Sequence, residues 1–228
     1  MHRTTNHAQE ARFTAQKLAC LAVLAIWTLV GCGGKAGEPS DPATSGATTT
    51  TEIDLLHPLV RIETSAGNII ARLDGDRAPG TVRNFLNYMN EDFYNDTLFH
   101  YAAADAMILG GGYSADGQPK PAPHPPIRNE AHNGWKHTRG TIAMARDASA
   151  GIDSATSQFF INLADAPALD HRGLGPEEYG YCVFGEVIEG LDVADKISRS
   201  ATRDRGGDLA QMPDPPVVVK AIDFVESR

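Results

Sequence analysis

The stretch from residue 140 to residue 162 (GTIAMARDASAGIDSATSQFFIN) constrains the fold of this chain more than any other. It contains two short apolar runs, Thr141-Ile142-Ala143-Met144 and Phe159-Phe160-Ile161, separated by a link rich in Gly, Ala, Ser and Asp. Runs of this length and composition predict buried β-strands. The link, residues 147–157, has too few large apolar side chains to be core. We therefore expect it to cross the surface and to position the groups beside it.

The segment before this stretch predicts a hairpin followed by a helix. Alternating residues from Val60 to Thr64, a turn at Gly67 and the run 69–73 are typical of a β-hairpin. Pro79 fits the first turn of a helix. Apolar residues then recur at helical spacing and predict a face packed on the core: Val82, Phe85, Leu86 and Met89.

The rest of the chain adds short strands and a second helix. We expect strands at residues 97–100, 107–109, 181–187 and 216–224, and a short helix after Gly190. The glycines at 110–112 do not fit a nucleotide-binding fingerprint and are interpreted as backbone freedom at a strand end. Many short strands with two helices predict a mainly β, closed architecture with helical plugs.

The N-terminal segment resembles an export signal. Arg3, Arg12 and Lys17 precede an apolar run, residues 18–30, which is of signal-peptide length but short for a membrane span. The run ends in Leu29-Val30-Gly31-Cys32, which resembles a bacterial lipobox, whose cysteine becomes lipidated. The alternative is an ordinary signal peptide with a chance cysteine.

The chain therefore divides into a lipoprotein-type signal peptide (1–31), a flexible tether (32–56) and one domain (57–228). The tether is rich in Gly, Ser, Thr, Ala and Pro, so it cannot offset the entropy of ordering itself. Residues 1–31 carry a net charge of +2, and their removal changes the formal charge from −9 to −11. A domain with this net negative charge is not expected to bind nucleic acid. Only Cys182 would remain as a thiol, so we expect no internal disulfide.

Neither a metal site nor a catalytic triad is indicated. His124, His132 and His137 fall close together in the sequence, but their spacing matches no zinc pattern and no cysteine supports them. Ser157 and His100 lack a nucleophile elbow or a fixed triad order. We therefore expect no metal and no cofactor.

Several motifs together resemble the cyclophilin family of peptidyl-prolyl isomerases. Over roughly Leu59 to Val225, the family motifs occur in family order: Phe99-His100, Gly110-Gly111-Gly112, Asn129-Glu130-Ala131, the 140–162 stretch and Val183-Phe184-Gly185. The resemblance implies an eight-stranded antiparallel barrel capped by a helix at each end. It also implies catalysis of cis-trans exchange at X-Pro bonds.

The resemblance also assigns site residues, and some of them depart from the family pattern. The family arginine after Phe-His is Tyr101 here, so Tyr101 is the doubtful catalytic candidate, with Arg146 as a second substitute if its side chain crosses the cleft. Ala106, Leu109 and Ala168 replace a phenylalanine, a glutamine and an aromatic residue. The substrate-binding set implied by the resemblance is Met107, Ala145, Gln158, Phe160, Leu169 and Tyr181.

These departures leave more than one function open. The first hypothesis is an isomerase of weakened activity that acts on X-Pro bonds of exported proteins. The second is a non-catalytic module that binds proline peptides or a partner, and a third is an envelope element whose groove is idle. The expected location is the bacterial cell envelope, with a monomeric domain held by its lipid on the outer membrane and facing the periplasm.

Overall fold

The computed structural model describes residues 54–225. Its elements, in chain order, are β1 (Leu59–Thr64), β2 (Gly67–Leu73), α1 (Pro79–Asn90), β3 (Thr97–Ala103), β4 (Met107–Ser114), β5 (Thr141–Met144), β6 (Phe159–Asn162), β7 (Val183–Glu189), α2 (Leu191–Ser198), β8 (Thr202–Arg203), β9 (Met212–Pro213) and β10 (Val217–Phe224). The predicted signal peptide, Cys32 and most of the tether lie outside the described residues. Within residues 54–225, no helix has the length and apolar character to cross a bilayer.

Eight strands close into a barrel in the order β1-β10-β3-β4-β6-β5-β7-β2. Every neighbouring pair is antiparallel, while β8 and β9 form a separate two-stranded ladder. Both helices bury apolar residues in the same core as the barrel strands. The predicted closed eight-stranded barrel with two helices is confirmed.

Strand β6 shows how the barrel separates its core from its outer face. Phe159 is fully buried in the main core, where its ring lies 5.4 Å from that of Phe85 on α1. The next residue, Phe160, belongs to a different apolar cluster. Successive side chains of a strand point to opposite faces, so one aromatic pair supplies both the barrel interior and an external site.

Strand β4 differs from the sequence-based expectation. It does not end before the glycines but continues through them to Ser114, so their assignment to a strand end was wrong. A Cβ atom at Gly112 would lie 2.6 Å from the carboxamide carbon of Gln158, and one at Gly110 would lie 3.0 Å from the ring of Phe99. These two glycines therefore permit close packing inside the sheet.

A distant glutamate caps the first helix. The residue before α1, Ala78, makes no side-chain cap. Instead, the Glu130 carboxylate accepts hydrogen bonds from the backbone N–H groups of Gly80 (3.0 Å) and Thr81 (2.8 Å) and from the Thr81 hydroxyl (2.7 Å). Backbone N–H groups in the first turn of a helix lack partners within the helix. They form the positive end of the helix dipole, which favours an anion. Glu130 thus ties the long loop before β5 to α1.

We expect Glu130→Ala to lower the free energy of unfolding by about 1.5–3 kcal/mol, because it leaves partly buried donors without a charged acceptor. Urea denaturation followed by circular dichroism measures this loss. Glu177→Ala is a suitable control, since Glu177 is exposed in a loop. Equal stabilities of the two variants would contradict the capping role.

Candidate functional site

A groove of about 740 Å³ opens on the outer side of the barrel. Strands β3 and β4 contribute one group of its lining residues, and the loop between β5 and β6 contributes another. A third contribution comes from the segment between β8 and β9. The lining residues are His100, Tyr101, Met107, Leu109, Ala145, Arg146, Asp147, Ala148, Ser154, Thr156, Gln158, Gly207 and Asp208.

The residues predicted for the site divide between this groove and an adjoining apolar cluster. Those that line the groove are Tyr101, Met107, Ala145 and Gln158. Those that do not line it belong to the cluster and are Phe160, Leu169 and Tyr181. Met107 and Ala145 belong to both, so the predicted set forms one continuous surface.

Phe160 is the centre of the apolar cluster and is only 4% exposed. The His137 ring stacks on it at a centroid distance of 5.8 Å, and the Tyr181 ring meets it edge-on at 5.8 Å. Leu109 lies directly opposite Phe160 in the β4–β6 ladder. The residue that replaces the expected glutamine therefore extends the apolar surface beside Phe160.

Burial keeps the stacked imidazole neutral. His137 is 2% exposed, and its burial lowers the pKa of the ring below its usual value. Its Nε2 lies 3.0 Å from the backbone oxygen of Tyr181, and its Nδ1 lies 3.1 Å from the side-chain nitrogen of Asn162. The Asn162 amide donates to Nδ1, so the proton is assigned to Nε2, which donates to the carbonyl.

Tyr101 occupies the position where the resemblance calls for arginine. It pairs with Leu109 in the β3–β4 ladder and is half-buried at the groove. Among residues 54–225, no side chain or backbone group forms a hydrogen bond with its hydroxyl. This hydroxyl can therefore donate to a ligand, but without the positive charge of a guanidinium.

Arg146 lines the groove, but hydrogen bonds hold its guanidinium on the loop before β7. Its Nε donates to the backbone oxygen of Gly180 at 3.0 Å, and a terminal nitrogen donates to that of Pro176 at 2.7 Å. The guanidinium carbon also lies 4.9 Å from the centroid of the Tyr181 ring. These contacts hold the side chain on the loop before β7, so they oppose the hypothesis that it crosses the cleft to replace the missing arginine.

Gln158 and Ala145 form the polar edge of the groove. The backbone N–H of Ala145 donates to the backbone oxygen of Gln158 at 2.9 Å, which extends the β5–β6 pairing toward the loop. The Gln158 side chain lies against Gly112. It lines the groove and has both a donor and an acceptor to offer a peptide backbone.

The acidic lining residues Asp147 and Asp208 were not predicted as site residues. Asp147 falls in the link that was expected to cross the surface, and Asp208 follows two glycines in the C-terminal part of the chain. Gly206 and Gly207 have positive φ angles, and a 3-10 turn, Gly207–Leu209, begins at the second of them. Only the folded chain brings this C-terminal segment to the groove.

His100 and Ser157 do not form a hydrolytic pair. The Ser157 hydroxyl is buried and donates to the backbone oxygen of Gly111 at 2.8 Å. His100 is fully buried, and within the described residues neither of its ring nitrogens has a hydrogen-bond partner. Burial lowers the pKa of His100 to about 4, so its ring is a neutral part of the groove floor at physiological pH.

The histidines considered as metal ligands have separate partners. His124 lies 2.8 Å from a carboxylate oxygen of Glu91, and His137 contacts backbone and amide groups as described above. The His132 ring lies 6.4 Å from that of His171. Within the described residues, no contact joins the three histidines into one ligand set.

Comparison with known proteins identifies the class to which this barrel and groove belong. The family described as "Cyclophilin type peptidyl-prolyl cis-trans isomerase/CLD" matches residues 59–223. The chain is 46% identical over 180 residues to peptidyl-prolyl cis-trans isomerase A of Dickeya dadantii, which covers 79% of this chain and 87% of that protein. It is 44% identical over 168 residues to peptidyl-prolyl cis-trans isomerase B of Escherichia coli, covering 74% and 100%.

A solved structure is similar in fold. The crystal structure of a cyclophilin-type isomerase from Cryptosporidium parvum matches with a TM-score of 0.61 at 23% identity, covering 75% of this chain and 99% of that one. The chain therefore belongs to the cyclophilin-type peptidyl-prolyl cis-trans isomerase family. The resemblance inferred from its motifs is confirmed.

The buried His100 makes the stability of the folded domain depend on pH. Its pKa in the folded chain, about 4, lies below the value of roughly 6.5 in an unfolded chain. The unfolded state therefore binds the proton first. The stability that comes from a neutral His100 is complete above pH 6.5 and is lost as the pH falls from 6.5 to 4. The full loss is about 3 kcal/mol.

We expect His100→Gln to make the unfolding free energy fall less steeply than that of the wild type between about pH 6.5 and pH 4.5. Urea titrations at several pH values measure the difference, in which the common contribution of carboxylates cancels. His132→Gln is the matched control, because His132 is exposed and the substitution removes the same ring. Parallel curves for all three proteins would contradict the assignment.

Proposed function

We propose that this domain is a peptidyl-prolyl cis-trans isomerase of weakened activity that acts on X-Pro bonds of exported polypeptides. Membership of the family supports the reaction. The observation that carries the weakened rate is Tyr101 at the groove, where the family pattern has an arginine. Arg146 does not compensate for this change, because its guanidinium donates to carbonyl oxygens outside the groove.

The reaction requires neither a nucleophile nor a metal. Rotation of an amide has a barrier of about 18–20 kcal/mol because the bond loses its resonance. A catalyst needs to bind the twisted form better than the planar forms. In the proposed role, the apolar cluster that contains Phe160, Met107 and Leu169 contacts the proline ring. Gln158 binds the flanking backbone.

In the proposed role, the Tyr101 hydroxyl is the donor that stabilises the twisted amide. As the C–N bond twists, the nitrogen regains a lone pair, and a positioned donor stabilises that form. Loss of one preorganised donor typically costs about 2.7–4 kcal/mol of transition-state stabilisation. A neutral hydroxyl recovers part of this, so kcat/KM should be far below that of an arginine-containing barrel.

A double variant tests the proposal. Tyr101→Arg with Ala106→Phe supplies both the cationic donor and the apolar wall that the family pattern contains. We expect kcat/KM for cis-trans exchange of a proline tetrapeptide to rise by at least about tenfold, given the 10²–10³ typical of one donor. Ala106 is exposed in the turn before β4, so a larger side chain has room there. Tyr101→Arg with Ala104→Phe is the matched control, since Ala104 is exposed in the same turn.

Further variants separate isomerisation from simple binding. Tyr101→Phe should lower the wild-type rate if the hydroxyl is the donor. A background rate in the wild type, together with tight binding of the same tetrapeptide, would instead establish a non-catalytic peptide-binding module. An isomerisation rate at background, together with no binding of the tetrapeptide, would show that the groove has neither function and would contradict the proposal.

We also propose that Cys32 anchors the domain in the bacterial envelope. Support comes from the sequence Leu29-Val30-Gly31-Cys32 after an apolar run. Several acyl chains give stable membrane attachment, whereas one chain gives only reversible binding. Clients would then be proline-containing polypeptides that have crossed the inner membrane, and the domain would act as a monomer on the periplasmic side of the outer membrane.

We expect the full chain to be found in the membrane fraction and to carry lipid by mass spectrometry. Cys32→Ala should move it to the soluble fraction or leave it unprocessed. Cys20→Ala is the matched control and should behave as the wild type does. Soluble, unlipidated wild-type protein would exclude the anchor.

A further inference from the structure

The charged side chains of the groove give it an excess of negative charge. Asp147 and Asp208 both line it and are exposed. Arg146 is the only lysine or arginine among its described lining residues. The guanidinium of Arg146 donates to backbone oxygens of the neighbouring loop. Two exposed carboxylates against this one cation leave the described lining with an excess of one negative charge.

Asp147 is held in place and ionised. One carboxylate oxygen accepts hydrogen bonds from the Ser149 hydroxyl (2.6 Å) and from the Ser149 backbone N–H (2.8 Å). These bonds hold the pKa of Asp147 below its usual value. The Ser154 hydroxyl, 2.7 Å from the backbone oxygen of Asp147, closes the same loop. The second carboxylate oxygen remains available to a ligand.

Asp208 approaches the groove from a separate part of the chain and is also fixed. A carboxylate oxygen accepts a hydrogen bond from the Tyr113 hydroxyl at 2.8 Å. The neighbouring Leu209 is buried with Leu98 and Met212 in an apolar cluster outside the barrel. This anchor holds the 3-10 turn that carries Asp208 against β3.

Among the described lining residues, no cation other than the loop-bound Arg146 offsets these charges. Tyr101 stands at the position of the family arginine, and the neutral His100 ring forms the floor. Within the described residues both His100 nitrogens also lack hydrogen-bond partners, and this buried ring is among the residues that line the groove. A peptide with a lysine or arginine beside its proline therefore meets attraction where an arginine would have repelled it.

We propose that the groove selects X-Pro segments that carry a lysine or arginine next to the proline. Asp147 and Asp208 are the specificity-determining residues. This inference rests on the proposed peptide groove but concerns its substrate class, not its turnover. Exposed ion pairs are individually weak, so each carboxylate should contribute about two- to fivefold in affinity, and the preference should shrink with salt.

The experiment uses the full-length chain and three labelled, blocked tetrapeptides: Ala-Lys-Pro-Phe, Ala-Ala-Pro-Phe and Ala-Glu-Pro-Phe. Fluorescence anisotropy gives Kd at about 0.05 M and about 0.5 M salt, and the isomerisation rate is measured on the same peptides. Variants are Asp147→Asn, Asp208→Asn and the double variant. Glu189→Gln is the matched control, because Glu189 is exposed on β7 outside the groove and its substitution removes the same charge.

We expect the Lys-Pro peptide to bind most tightly, the Ala-Pro peptide less tightly and the Glu-Pro peptide most weakly. Each Asn variant should reduce the Lys preference about two- to fivefold, whereas the control should keep it. Equal affinity for the three peptides, or a Lys preference that survives the double variant, would overturn this inference and leave the isomerase proposal intact. Failure of every peptide to bind, with isomerisation at background, would overturn both.

Discussion

The alternation of side chains along the barrel strands is the constraint on which this structure depends. Phe159 and Phe160 are neighbours in sequence, yet the first fills the barrel core and the second centres the external apolar cluster. A shift of one residue in the register of β6 would exchange them. The pairing of β6 with β4 and β5 therefore fixes the core and the groove together. Glycines in β4 complete this arrangement, because Gly112 leaves space for the Gln158 side chain.

The family, the closed barrel and the positions of most strands could be predicted from the sequence, because apolar runs and turn residues act locally. Contacts between distant segments could not. Glu130 caps a helix about 50 residues away, as the separation of 49 positions from Thr81 shows. Asp208 reaches the groove only because Leu209 packs on Leu98. Neither contact leaves a periodic signal in the chain.

The direction in which a long side chain points also could not be predicted from the sequence. Arg146 was a reasonable candidate for the missing cation, since it follows Ala145 at the edge of the groove. In the fold, carbonyl oxygens of the loop before β7 satisfy its donors, and the Tyr181 ring lies beneath its guanidinium. Moving its guanidinium across the groove would leave those carbonyls without this donor, which is costly where they are not well solvated. The loop contacts therefore decide the electrostatics of the site.

Isomerisation differs from bond-breaking reactions in how it responds to such a change. A hydrolase without its nucleophile loses its chemical step, but a rotating amide needs only a surface that favours the twisted form. The apolar edge at Phe160 and the polar edge at Gln158 survive the loss of the arginine. In the proposed role they contact parts of the peptide that do not rotate, so they would contribute binding in every state of the bond and only orientation to the rate. On this proposal, we expect changes at Tyr101 to alter the rate more than the affinity, and changes at Asp147 and Asp208 to alter the affinity more than the rate. The proposal thus assigns rate and affinity to different residues of the groove.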